Sequence, residues 1–335
     1  MRSAASASPA TAVPATSNDN ATSHDTPKNG TPLHSVSGGP DVIRPSKFTE
    51  RVSFAVFWGI HFGCLAGLWT GVSLRSLVLC FVLYWTYMFA ITGGYHRYFS
   101  HRTYKTSRWF QFILAWLGCC TVQKGPLWWA SNHRQHHKFS DTPDDIHSPV
   151  QRGFWYSHVG WISSGDHIET DLRVIKDFAK YPELHWLGKW HFVPPLLVAA
   201  FAVWLDGFRG FVVGTGFALV LAWHCTFTIN SLAHVIGSRR YQTNDDSRNN
   251  WFLALITMGE GWHNNHHHYQ YTVRQGFYWW EIDATYYVLR ALAAIGLVWD
   301  LKMPPARVYS PELKVLETES PLAAEVSESS FPEPA

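Results

Sequence analysis

The sequence predicts an all-α integral membrane protein with four transmembrane helices in two hairpins and a cytoplasmic helical cap rich in histidine. Three observations carry this: long stretches free of charged residues, a concentration of basic residues between them, and spaced clusters holding nine of the 19 histidines. The net charge of +2 (27 Lys+Arg against 25 Asp+Glu) gives no electrostatic footprint for nucleic acid. Aromatic residues make up 16% of the 335 and charged residues only 16%, a membrane-like balance. Cys64, Cys80, Cys119, Cys120 and Cys225 all sit in apolar stretches without C-x-x-C spacing, which disfavours a disulfide scaffold or a cysteine metal site.

Residues 1–45 are rich in Ala, Ser, Thr, Pro, Asn and Gly and read as a disordered tail without the apolar centre of a secretory signal. Residues 309–335, with six Glu and one Lys after 310, read as a second, acidic tail. The domain between them is 46–308. Uncharged runs of 23 residues after Arg51 and 21 after Arg75 give the first hairpin, with spans 52–74 and 76–96. Runs of 16 residues before Asp206 and 29 after Arg209 give the second, with spans 190–206 and 210–236. The last run exceeds a bilayer's needs, so its end, with Asn230 and His234, should project into water. The run Phe110–Val122 is too short to cross and reads as an interfacial or buried helix. Segment 96–191 holds twelve Lys/Arg and each outer turn only one, Arg75 or Arg209, so the cap (97–189 and 237–308) and both termini are expected in the cytoplasm.

The histidine clusters are H-R-Y-F-S-H (His96, His101), H-R-Q-H-H (His133, His136, His137) and H-N-N-H-H (His263, His266, His267), with Asn230 and His234 as a shorter element. On a helix, positions i, i+3 and i+4 share a face, so each triplet is expected to aim three imidazoles one way, and Asn230 and His234 to point together. Five residues of α-helix separate His96 from His101 by about 140°, so that helix should break or the two should approach from different sides. Any one histidine is more often a packing residue than a ligand. Nine together imply neutral imidazoles holding metal, and nine nitrogens exceed what one ion can use, so two metals are implied: Fe, Zn, Cu or Ni.

These boxes, with G-E-G-W-H at Gly259–His263, H-V-G-W at His158–Trp161 and N-S-x-x-H from Asn230 to His234, resemble the membrane-bound, stearoyl-CoA-type Δ9 fatty acyl desaturases from about residue 50 to 305. The resemblance implies two irons held by the nine histidines and by a water on Asn230. It implies O2 as co-substrate and a cis double bond, Δ9, placed in a saturated long-chain acyl group. Asp141, Asp144, Asp145 and Glu260 are candidates to accept the second ring N–H of ligating histidines. His268 is expected beside the site or exposed. His61, His147, His158, His167, His185, His191 and His224 are expected in ordinary structural roles. Tyr84 and Met88, stacked at i, i+4 on the second span, are candidates for the closed end of an acyl tunnel, with Met88 as its plug.

The sequence departs from the animal acyl-CoA enzymes at two places: Ser131-Asn132 stands where they carry Arg-Asp, and Gly165-Asp166 where they carry a basic pair. Arg102, Lys124, Arg134, Lys138 or Arg152 could compensate, so acyl-CoA and lipid-linked substrates both stay open. No haem or cluster motif is present, so electrons should come from a separate ferredoxin, rubredoxin or cytochrome b5 with its reductase. The expected setting is a bacterial cytoplasmic membrane. A lipid or alkane hydroxylase is the nearest alternative, and a membrane metal transporter the alternative from another class.

Overall fold

The computed structural model describes residues 41–165 and 169–310. Most of both expected tails, Asp166 and His167 lie outside the described residues. The first apolar run forms the helix Lys47–Cys64, opened by Ser46, whose hydroxyl accepts from Thr49 N, and followed by the short helix Gly67–Thr70. A turn then leads to Ser73, which caps the helix Leu74–Phe89 in a reciprocal pair with Ser76. That helix passes without interruption into π-helical winding at Ala90–Ser100.

Three helical stretches are long and apolar enough to cross a membrane: 47–70, 74–100 and 193–234. The third has 42 residues, roughly 63 Å if straight and about twice a hydrocarbon core. It is not straight. Asp206 (φ −147°) and Gly207 (φ +58°) leave helical geometry inside Val193–Arg209. Beyond them a Cβ on Gly210 would lie 2.0 Å from the carbonyl oxygen of Ala202, a residue that a straight helix would hold about 12 Å away. The chain therefore turns back on itself there. The carboxylate of Asp206 accepts a hydrogen bond from the Ser73 hydroxyl, so both turns lie at the same end of the bundle. The returning chain runs through a π segment, Gly210–Phe217, into the helix Ala218–Asn230.

The remaining helices pack around the opposite end. Arg108–Cys120 fills the place of the expected non-spanning helix, and Pro126–Phe139 carries the second histidine box, its proline at the helix start, where no N–H is needed. Pro182–Lys189, Trp251–Ile256, His263–His268 and Ala284–Ala294 follow, with shorter helical turns interspersed that include the π segment Tyr156–Gly160. Two antiparallel strand pairs, Val42–Ile43 with Thr170–Asp171 and Lys105–Thr106 with Val298–Trp299, tie distant segments together. The helix 74–100 joins two apolar cores: Tyr87 and Met88 pack with Phe57, Trp223 and Phe227, whereas Tyr95 and Phe99 pack with Leu114, Leu127 and Leu187. The histidine boxes lie where these cores meet. All five cysteines are free thiols.

Candidate metal centre

His96 and His101 both lie on one side of their helix because the winding there is π, not α. The His101 N–H bonds the His96 carbonyl (3.2 Å), an i to i+5 closure that brings the fifth residue back over the first, and the rings sit 4.7 Å apart. The helix neither breaks nor splays the pair. His234 also departs from expectation: the helix ends at Asn230, and a 3₁₀ turn, Leu232–His234, swings the imidazole inward.

The ring nitrogens gather into two groups. His96, His101, His133, His137 and His266 form the first, and His136, His234, His263 and His267 the second, each with its nitrogens within 4.8 Å of one another. Within the first group His96 Nε2 lies 3.0 Å from His266 Nε2, His101 Nε2 2.9 Å from His133 Nε2, and His266 Nε2 2.9 Å from His137 Nε2. In the second, His234 Nε2 and His263 Nε2 are 3.0 Å apart. Each H-x-x-H-H triplet is therefore divided between groups instead of aiming at one point. His136 parts from His133 and His137, and His266 from His263 and His267.

Carboxylates set the rings' tautomers. Glu260 accepts from His96 Nδ1 (2.5 Å), Asp145 from His136 Nδ1 (3.0 Å), Asp141 from His234 Nδ1 (2.7 Å) and Asp245 from His267 Nδ1 (2.6 Å). A ring held this way turns the lone pair of its Nε2 toward the centre of its group. His267 Nε2 is buried with no hydrogen-bond partner, and five inward-turned nitrogens cannot all satisfy one another. A cation in each group satisfies them, so the donor sets fit two imidazole-binding metals. Burial pushes His101, His133, His137, His263 and His266 well below the ordinary imidazole range, each lowered further by its histidine neighbours. They are neutral at pH 7, the form that binds metal. Burial would also raise Glu260, but His96 and Arg97 outweigh it and hold the carboxyl low.

Of the four carboxylates expected at the rings, Asp141, Asp145 and Glu260 reach one. Asp144 lies beside them, half-buried, and the fourth ring bond is made by Asp245. Asp245 sits in the loop before the third box, eighteen or more residues from any box histidine, and no spacing signal marked it. Also unanticipated is the buried Arg97, which bonds Asp283, Glu260 and the Val273 carbonyl and so fixes the carboxylate behind His96. His147, buried against His136 and Asp145, adds a second imidazole there. His268 stacks on Tyr241, turned away from both groups. The glycine of G-E-G-W has a steric reason: Gly259 has φ +118°, and a Cβ there would meet Asp283 Oδ1 at 2.5 Å. Asn265, within the third box, bonds Glu281 and the Gln275 carbonyl, pinning a helix of only six residues.

A narrow cavity of ≈ 40 Å³ touches both groups, with walls that include Met88, Ile91, Thr92, Trp129, Ile229 and Asn230. Met88 is buried in that wall. Tyr84 donates its hydroxyl to the Ile256 carbonyl (2.6 Å) one turn farther along the span.

Apolar membrane-length helices ending in two polyhistidine groups beside an apolar cavity define a membrane protein with a two-metal type of site. The fatty acid desaturase family model matches residues 52–300, and the chain belongs to that family. It is 36% identical to the sn-1 stearoyl-lipid 9-desaturase of Anabaena variabilis over 75% of this chain and 93% of the relative. It is 37% identical to the acyl-CoA C20 Delta5-desaturase of Anemone leveillei over 78% and 85%. With the Delta-9 acyl-lipid desaturase 1 of Arabidopsis thaliana it shares 36% over 73% and 81%.

Proposed function

We propose that the chain is an O2-dependent fatty acyl desaturase that places a cis double bond, Δ9, in a saturated long-chain acyl group. The two nitrogen groups, with a water on Asn230, would each hold one iron. The observation that carries this is the pair of imidazole groups bordering an apolar cavity with Met88 in its wall. Bound iron supplies O2 activation and an oxidant strong enough for an unactivated methylene, which amino-acid side chains cannot provide. The protein's own part is positional. Ile91, Thr92, Trp129 and Ile229 hold the chain against both groups, Met88 limits its depth, and the buried walls exclude water.

Lipid-linked acyl groups are favoured over acyl-CoA as substrates. Ser131 and Asn132 are buried and bonded to backbone at Asp171, Trp128 and Glu169, so neither is offered to a nucleotide. Arg134 is committed to the Phe99, Ser100 and Val174 carbonyls and to Asp177. The stearoyl-lipid and Delta-9 acyl-lipid relatives support the same carrier and position.

Four crossings are supported by parity. His137 and His266 meet at 2.9 Å, so the chain between them returns to the side it left, and 193–234 contributes two crossings through its reversal at 206–207. The basic segment supports a reading with both termini and the site on the cytoplasmic side, the proposed setting being a bacterial cytoplasmic membrane and the proposed electron donor a separate ferredoxin, rubredoxin or cytochrome b5 with its reductase. The test is gas chromatography–mass spectrometry of fatty acids, with double bonds mapped, from a host lacking its own desaturase and expressing the chain or His266→Ala. A cis-9 product from the first strain alone is expected. Hydroxylated lipids would replace this reading with a hydroxylase.

A further inference from the structure

Three histidines outside the two groups form a continuous hydrogen-bonded chain between two membrane helices and the cap. His61 Nδ1 bonds the Phe57 carbonyl (2.7 Å), and His61 Nε2 meets His224 Nε2 (3.2 Å). His224 Nδ1 meets His158 Nε2 (3.0 Å), and His158 Nδ1 meets the Ser231 hydroxyl (3.0 Å). Ser231 is fully buried and can also donate to the Phe227 carbonyl (2.8 Å). It is the residue after Asn230, which lines the cavity.

The contacts fix every tautomer. A carbonyl only accepts, so His61 carries its proton on Nδ1 and accepts at Nε2. His224 must then donate from Nε2 and accept at Nδ1, His158 donates from Nε2, and Ser231 donates to His158 Nδ1. One added proton is accommodated without loss of a contact: Ser231 turns its hydrogen to Phe227, His158 donates to Ser231, and the charge can reside on any of the three rings. A second added proton would set two N–H groups against each other. The Phe57 end is closed to exchange, and the other end is the Ser231 hydroxyl, which can switch between His158 and the Phe227 carbonyl. Phe154 stacks on His158, and Trp223 lies against His61. Of the other titratable groups on these elements, Cys225 turns to Tyr84 and Tyr156 to Arg152. Among the described residues no carboxylate, lysine or arginine hydrogen-bonds to the three rings.

We propose that His61, His224 and His158 are a one-proton store that supplies the desaturation site through Ser231 and is refilled after each proton it gives up, twice in a turnover. This rests on the desaturase reading. Removing two hydrogens from CH2–CH2 while reducing O2 to two waters takes two electrons from the donor protein and two protons from outside the substrate. A water-excluding site needs a fixed source for those protons.

The test uses the full-length iron-loaded protein with reductant supplied, comparing wild type with His224→Gln and His158→Gln. Glutamine keeps a donor and an acceptor but holds no exchangeable proton. The expected result is turnover lowered about 10-fold near pH 8, with O2 consumed in excess of double bonds formed and released as peroxide, and recovery toward wild type near pH 6. Iron content should be unchanged. Infrared difference spectra between those pH values should show one fewer imidazolium in each variant than in wild type, a count that does not depend on desaturation. Glutamine variants matching wild type in coupling and pH profile, losing activity equally at all pH, losing iron, or showing an equal imidazolium count would each overturn the store. Failure of the wild type to form double bonds would instead overturn the desaturase reading.

Discussion

The two imidazole groups reach the same end by different means. The first gathers five rings, of which one, His96, is held by a carboxylate, Glu260. The second has four rings, three of them held by carboxylates: Asp145, Asp141 and Asp245. A carboxylate behind an imidazole fixes its orientation and raises its basicity as a ligand. The first group thus relies on ligand number and on rigid helices, and the second on charge placed behind fewer ligands.

Removing one ligand from each group breaks this comparison most sharply. Both His266→Ala and His267→Ala should abolish the cis product. Metal analysis should separate them: His266→Ala leaves four imidazoles and retains close to two irons, whereas His267→Ala leaves three, frees Asp245 and falls toward one. A smaller effect is expected from the carboxylates. Asp245→Asn should weaken the second iron by about 10- to 100-fold in competition with a chelator, and Glu260→Gln should weaken the first by less, because four other rings remain.

Acid tests the same contrast through the metal-free protein. Buried histidines of both groups sit well below the unfolded value of about 6.5, so below that pH the unfolded chain binds more protons than the fold. Melting temperature should therefore fall as pH drops from about 7 to 5. Asp245 and Asp145, held low by His267 and His136 despite burial, add their own loss only at much lower pH. The smallest effect belongs to the cavity wall. Met88→Ala should lengthen the preferred acyl chain by a few carbons with little change in total turnover, and an unchanged product profile would remove Met88 as the plug.

The nine histidines were legible because their number and spacing exceed any packing need. How they divide was not. Spacing of i, i+3 and i+4 says that three rings share a helical face, but a face is wide enough to serve two centres when the opposing helix offers rings to both. Asp245 was invisible for a different reason: its contact with His267 closes through folding of the 237–250 loop, which no local period encodes. The turn at Asp206 and Gly207 was marked by charge, since Asp206 and Arg209 interrupt the apolar run, although length and hydropathy alone merge the two arms.

The π winding of 90–100 bears on how the first box can vary among relatives. A closure at i+5 differs from one at i+4 by a single residue, so deleting one residue between His96 and His101 would leave the two imidazoles as α-helical neighbours on one face. Deleting two would leave them at i, i+3, still on that face, and only a third deletion would turn them apart. Deletions inherited at this box should therefore leave two, three or four residues between the histidines and no fewer.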